Sequence, residues 1–512
     1  MPVQPAPSAT IAIDYRVIIV ISLLLSLWLI LIDPVLNRDA ILYLRAADAY
    51  LQDGLLASQQ LFARPLLSIC FATLHQVTGL PLLYAGLLLN SLFYALFCVA
   101  FVATVSALGG GRRVQLIAAI VVLAHPSLND QRSSILRDPA YWAFALLAFR
   151  QLLLYVQQPG WKHQLYWLAY IGLASLFRFE GLFFAVLAPF ALLATQDLPD
   201  RGKHCLRLLS PTLIGLVAAV ALALFYMEGS LLDSMRLPGI SRYVDRLLAL
   251  PEQFGALAAA TGNIVLEVNS REDAAAATIA GLATVLLLNI CRALSWPVVL
   301  VLLSQWRHRD HLRHDNAVLL NAHLWICLAY LATFTLINHF MSERYASQFI
   351  IFFLLYLPFL LDGMWRSGKR SMPRILALGL LVILSVDSLH NRDREKAFIR
   401  DAKNWLLTNT PQRASLVSNN EYLAYFSRRD FDWKIATFNR FDLQKLLSAQ
   451  HYWRDKDYLA MRVTRHNTQA WSAFLQQHSL KEMMVFDGQG HGKVAIVKLR
   501  HNTEDANREA QP

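Results

Sequence analysis

From its start to about residue 389 the chain alternates long apolar runs with short polar ones; from there to Pro512 it does not. A helix needs roughly 20 residues to cross a hydrocarbon core, and only helices or closed barrels satisfy their backbone groups there. By that measure about eleven spans are predicted. They lie near 15–31, 80–108, 114–123, 140–156, 165–176, 182–194, 208–226, 293–303, 318–337, 348–361 and 375–386. The stretch 274–288 is apolar too, and reads as another span or as a helix lying in the interface; the parity of the count turns on it. The run at 17–31 has few basic residues before it and no small-x-small cleavage site after it. It reads as a retained first span rather than a removed signal peptide.

Charge orients these spans. "GGGRR", "DRGKHCLR", "QWRHRDHLRHD" and "RSGKRSMPR" alternate with the other loops, and placing them in the cytoplasm puts the N-terminus inside. The loop at 33–79 then lies outside. So do "HPSLNDQRSSILRD", "RFEG", the long loop after Tyr226, "NHFMSERY" and the tail after Leu389, provided that 274–288 is interfacial. The tail, 390–512, is polar and aromatic. "REKAFIRDAKNWLL" has helical periodicity, while "KIATF", "YLAMRVT", "EMMVF" and "KVAIVKL" have the look of strands. The division is therefore a multi-span unit, 1–389, and a soluble extracytoplasmic α/β domain, 390–512.

Composition agrees with this reading. Of the 512 residues, 56% are hydrophobic and only 16% charged, with a mean hydropathy of +0.38. The net charge of +11 sits largely in the short loops, as an orientation signal rather than a nucleic-acid footprint. The five cysteines have no C-x-x-C spacing and read as small buried hydrophobes, so no disulfide framework or cysteine zinc site is predicted. No internal repeat appears, nor the paired broken helices of an inverted-repeat transporter.

Four outer segments carry the candidate chemistry. The first, "LNRDAILYLRAADAYLQDG", is an acidic amphipathic helix just past the first span, with Ala40, Tyr43, Leu44, Ala47, Tyr50 and Leu51 on one face. Asn37 can cap it and Asp39 can stabilise its positive end. Alternatively, Asp39 is a general base at the membrane surface, with Tyr43 one turn further on. Arg64, beside Pro65, follows at the same predicted depth. In "RSSILRDPAYW", Asp138 before Pro139 is a helix-start signal, but capping does not explain Arg137. In "ASLFRFEGLFF", Arg178 and Glu180 interrupt an apolar run. Residues two apart do not face each other on a helix, so the chain is expected to break there between two short spans. In "NHFMSERYASQF", Glu343, Arg344 and Tyr345 precede a span, where an arginine can grip a lipid-linked phosphate or simply anchor the interface. Charges thus gather at one predicted depth while span interiors stay apolar. That suggests a site at the outer membrane face, open to a lipid substrate from the side.

The order of these motifs resembles the GT-C superfamily of polyprenyl-phosphate-sugar-dependent glycosyltransferases, close to the protein mannosyltransferase and aminoarabinose transferase type. "RDAILYLRAADAYLQDG", "ARPLLSICFATLHQVTGL", "HPSLNDQRSSILRDPAY", "ASLFRFEGL" and "SERYASQFIIFFLLYLP" carry the likeness. It implies a GT-C-like polytopic helical fold with a soluble tail, Asp39 as catalytic base, and inversion at the anomeric carbon. A polyprenyl-phosphate-linked sugar would be the donor, and a lipid, glycan or protein the acceptor. Arg38–Asp39 stands where relatives often have two acidic residues, and Phe179 where many have proline. The leaving phosphate needs cations, for which Arg64, Arg137, Arg178 and Arg344 are candidates. Asp39 and Asp138 are of the type that binds a divalent cation, though the chemistry requires none.

Two other classes compete. A transporter or flippase of lipid-linked glycans predicts ionisable residues at mid-span and repeat symmetry. A non-catalytic scaffold predicts that Asp39→Asn leaves function intact. "FDGQGHGK" in the tail lacks P-loop spacing and reads as a hairpin turn, and "GGGRR" as a loop.

Overall fold

The structure is a computed structural model that describes residues 13–33, 35–227, 245–246, 248–305, 312–366, 371–387, 389, 395–433 and 443–499. It divides into two compact units. The first comprises Met1–Ser26, Ala46–Arg132 and Leu136–His390, and the second Leu27–Arg45, Ser133–Ile135 and Asn391–Pro512.

The first unit is helical. Its elements are α1 (Tyr15–Ile32) and α2 (Arg38–Leu61), both shared with the second unit, then α3 (Leu66–Thr78), α4 (Leu82–Ala107), α5 (Arg112–Ala124) and α6 (Pro126–Asn129). These are followed by α7 (Asp138–Gln157), α8 (Trp161–Phe177), α9 (Glu180–Leu187), which runs on as a 3-10 turn, and α10 (Arg201–Met227). After α11 (Leu250–Ile264) come α12 (Ala274–Leu294), α13 (Trp296–Gln305), α14 (His314–Asn338), α15 (Glu343–Leu354), α16 (Leu357–Arg366) and α17 (Ser371–Asp387). Helix α4 packs on α5 and α7, α7 on α8, and α8 on α9. Among the described residues, five helices are long and apolar enough to cross a membrane, or six if the bent pair α15–α16 is one span. The rest of the eleven predicted runs fall on shorter helices or, as with 208–226, partly on side chains left undescribed.

Helix α12, on the stretch expected to be either another span or an interfacial helix, reaches 21 residues and, with the turn before it, passes as a span by length and hydropathy. The predicted run 293–303 is instead cut at Ser295, whose φ is +61°. Trp296 precedes Pro297, which disfavours helical backbone at the residue before it and restarts the helix with proline in the first turn. Among the described residues α13 runs for 10, about 15 Å or half a hydrocarbon core. The run 348–361 is likewise split, since α15 and α16 meet at 42°, next to Pro358.

The amphipathic segment forms as α2, broken at Gly54, where φ is +81°. Burial runs further round it than one stripe: Ala40, Ile41, Tyr43, Leu44, Ala46 and Ala47 are all buried, while Tyr50 and Leu51 are half-buried. Protein therefore covers this face. Asn37 does not spend its side chain on the helix. Its Oδ1 accepts from the Ile135 amide at 3.1 Å.

The second unit is an α/β domain. After α18 (Ala397–Asn409) come β1 (Ser415–Ser418), α19 (Glu421–Phe426), β2 (Asp430–Phe431), α20 (Leu443–Ser448), β3 (Tyr458–Val463), α21 (Thr468–Gln477), β4 (Met484–Asp487) and β5 (Lys493–Lys498). The sheet order is β2-β1-β3-β5-β4. Strand β1 is parallel to β2 and β3, and β5 is antiparallel to β3 and β4. Alternation along β3 puts Leu459 and Met461 into a core with Trp471 and Phe474, and Tyr458 and Ala460 into another with Ile399 and Leu406. Three expected strands form, and "FDGQGHGK" is the β4–β5 hairpin, with Gly490 and Gly492 at positive φ. The expected strand "KIATF" lies outside the described residues. Strand β1 was not foreseen; at four residues it leaves little alternation to read.

Candidate active site

The break expected at Arg178 is present. Helix α8 ends there in extended backbone (φ −141°, ψ 132°) and α9 begins at Glu180. Gly181 permits the tight return. A Cβ on it would lie 2.6 Å from the Ser175 amide nitrogen, which is backbone and cannot yield. Because the helix is broken, Arg178 and Glu180 do meet: Nη2 donates to Oε1 at 2.5 Å and Nε at 3.1 Å. Arg178 Nη1 also donates to Asp138 Oδ1, and Arg344 Nη2 donates to Asp138 Oδ2 at 2.8 Å.

Both Asp138 oxygens are thus bound by guanidinium groups. Pro139 occupies the first turn of α7 as expected, but the carboxylate serves an ion network. Arg178 and Arg344 each bring a positive charge, offset by Asp138 and Glu180. The side chains of Asp138 and Arg178 are 1% and 11% exposed. In such surroundings the loss of one partner leaves an uncompensated buried charge.

Arg137 points elsewhere. Its Nη1 donates to the Phe177 carbonyl at 3.3 Å, and its guanidinium lies 4.8 Å from the Phe62 ring centroid. Arg64, Arg137, Arg178, Glu180 and Tyr345 all line one open cavity of about 370 Å³. The opposite wall is apolar and includes Phe183, Leu187, Ile326, Phe334 and Ile337. Arg64 and Arg137 add two guanidiniums to the wall that Arg178 already lines. An anion with an apolar tail matches both walls.

Tyr330 belongs to the site and escaped the sequence reading. Its hydroxyl donates to Glu180 Oε1 at 3.0 Å. It sits inside the long apolar α14, where a tyrosine gives no signal. Tyr345 packs against Phe334 with centroids 4.6 Å apart, and the Arg178 guanidinium stands 5.7 Å from the Tyr345 ring. Glu343 opens α15 and does not line the cavity.

Asp39 and Tyr43 belong to the second compact unit. Asp39 occupies the first turn of α2 and is half-buried; Tyr43 is buried. The residue before Asp39 is anchored within that unit. Arg38 Nε donates to Glu421 Oε2 at 2.8 Å. Arg45, two turns on, stacks 3.7 Å from the Trp433 ring centroid. Among the described residues no group of three or more His, Cys, Asp and Glu side chains gathers as a metal site would. All five cysteines are free thiols.

No family model matches the sequence, and no curated protein matches it. Among solved structures, the chain is similar to ArnT from Cupriavidus metallidurans bound to undecaprenyl phosphate. Identity is 12%, the TM-score is 0.56, and the match covers 95% of this chain and 98% of that chain. The apo state of ArnT gives 13% identity and a TM-score of 0.52, covering 95% of this chain and 97% of that one. At such identity the likeness is one of fold, and it is the GT-C fold that the sequence motifs resemble.

Proposed function

We propose that this chain is a membrane glycosyltransferase that moves a sugar from a polyprenyl-phosphate donor to a lipid, glycan or protein acceptor. The observation that carries the reading is the cavity with arginines on one wall and apolar side chains on the other. The solved relative in fold that holds undecaprenyl phosphate supports the same donor class.

The reaction at outer-face depth runs as a single displacement. An acceptor oxygen attacks the anomeric carbon from the face opposite the phosphate. Its proton passes to the Asp39 carboxylate. The bond from the anomeric carbon to the phosphate oxygen breaks, and the electron pair leaves with the lipid phosphate. The configuration inverts. The phosphate begins as a monoanionic diester and leaves with a second negative charge, so cations fixed beforehand stabilise the transition state more than the bound donor. Arg64 and Arg137, on the cavity wall, are placed to supply such charge. Asp138 and Glu180 act as positioning residues that hold Arg178 and Arg344 in place, and Asp138 is not required as a proton acceptor.

Orientation follows from the basic loops. With α12 crossing and the short α13 not crossing, one span joins the loop after Tyr226 to "QWRHRDHLRHD". The N-terminus then stays cytoplasmic, and the site and the α/β domain lie outside the cytoplasmic membrane.

The test is reconstitution of purified protein in vesicles with membrane-extracted polyprenyl-phosphate sugars and acceptor. The expected result is release of polyprenyl phosphate with a product of inverted anomeric configuration. Movement of intact donor across the bilayer without cleavage would replace this reading with a flippase.

A further inference from the structure

Two side chains beside the ion network have polar atoms that no group among the described residues engages. The Tyr141 hydroxyl and the Gln348 Nε2 are both shielded from solvent, and neither has a hydrogen-bond partner among the described residues. Tyr141 as a whole is 2% exposed. Burying such groups without a partner is costly, and native proteins seldom leave it so. The sequence explains why the two converge. Tyr141 follows Asp138 by three residues on α7, and Gln348 follows Arg344 by four on α15. Each therefore lies one turn beyond a member of the Asp138–Arg344 pair, on the same helical face.

Both line a second, much smaller pocket of about 20 Å³, room for about one water-sized group. Arg178, Glu180, Tyr330 and Tyr345 line it too, and the same four line the large cavity. The two spaces thus share a wall made of the ion network. The large one has the arginine and apolar walls that suit a phosphate and its lipid. The small one adds two donors next to the Glu180 carboxylate, which suits a group that both accepts and donates hydrogen bonds. Its room excludes a polyprenyl chain and a whole sugar ring but admits one hydroxyl group.

Resting on the transferase reading above, we propose that Tyr141 and Gln348 form the subsite that recognises one hydroxyl group of the donor's sugar. A pocket that hydrogen-bonds a substrate hydroxyl discriminates strongly, because the wrong sugar leaves its buried donors unmet. These two residues then set which sugar is transferred, while the arginines set only that it is carried on a phosphate.

Tyr141→Phe tests this cleanly. It keeps the ring, which lies 5.8 Å from the Arg178 guanidinium, and removes only the hydroxyl. Since that hydroxyl has no partner among the described residues, the melting temperature is expected to stay at or above wild type. Gln348→Leu is the second variant, in case one substitution fails to fold. Full-length protein in vesicles is assayed for transfer from membrane-extracted polyprenyl-phosphate sugars and, separately, for binding of undecaprenyl phosphate alone. The expected result is a fall of about tenfold or more in kcat/KM for transfer, with undecaprenyl phosphate binding unchanged. Unchanged transfer in both variants overturns the subsite and leaves a pocket filled by water. A parallel loss of undecaprenyl phosphate binding also overturns it, by assigning the pocket to the phosphate. Inactive wild type with the natural donor extract sinks the transferase reading and this assignment with it; active wild type with indifferent variants sinks the assignment alone.

Discussion

Asp138 precedes Pro139 as a helix-starting aspartate does, yet its two oxygens go to Arg178 and Arg344. The local signal was legible in the sequence; the partners, 40 and 206 residues away, were not. Asp138→Asn removes the charge that offsets two guanidiniums, and breaking a buried pair of this kind costs about 3–5 kcal/mol. The expected outcome is a markedly lower melting temperature and transfer near background, read by thermal denaturation in detergent and by the vesicle assay. Gly181 makes a second case. Gly181→Ala drives a Cβ against the Ser175 backbone, an overpacking worth about 1–3 kcal/mol. Because it moves the turn that carries Arg178 and Glu180, its activity is expected to fall further than its stability. Arg178 and Glu180 were visible because charge inside an apolar run is conspicuous. Tyr141 and Tyr330 were hidden, since a tyrosine in such a run is ordinary.

Elements with strong apolar patterning were placed well. Helices α1, α4, α7 and α14 cover the predicted runs 15–31, 80–108, 140–156 and 318–337. Hydropathy failed where a break is apolar on both sides. Around Ser295 the average stays high through "CRALSWPVVLVLL", and only Pro297 marks the restart. The proposed assignment, with α12 crossing and α13 on the cytoplasmic side, is testable by labelling. In a variant without the native cysteines, Trp296→Cys is expected to react with a membrane-impermeant maleimide in inverted vesicles and not in spheroplasts. Glu252→Cys, on α11, should do the reverse. The same side for both would refute α12 as the span between them.

At the scale of the whole molecule, the expected division at 389/390 fits the change in composition but omits two insertions. Leu27–Arg45 and Ser133–Ile135 belong with the tail, and composition cannot reveal that a loop after the first span packs with residues 400 positions later. Val35 packs against the core that holds Phe398 and Leu416, and Arg38 is bonded to Glu421. The tail therefore helps to hold the turn that carries Asp39. That ion pair is partly exposed, so Glu421→Gln is expected to cost less than about 1 kcal/mol of stability. Its turnover should fall by more than that, through misplacement of the Asp39 turn, and the exchanged pair Arg38→Glu with Glu421→Arg should recover part of the loss. Equal turnover in wild type and Glu421→Gln would detach the tail from catalysis.

The central claim is that Asp39 takes the acceptor's proton during transfer of a lipid-linked sugar. The most direct measurement is mass spectrometry of envelope glycolipids and surface glycoproteins from a deletion strain, complemented with wild-type protein or with Asp39→Asn at the same level. The account predicts one species that loses a sugar mass on deletion, regains it with wild type and does not regain it with Asp39→Asn. Full restoration by Asp39→Asn would contradict the assignment of the base, and a deletion that changes no mass would contradict the transferase itself.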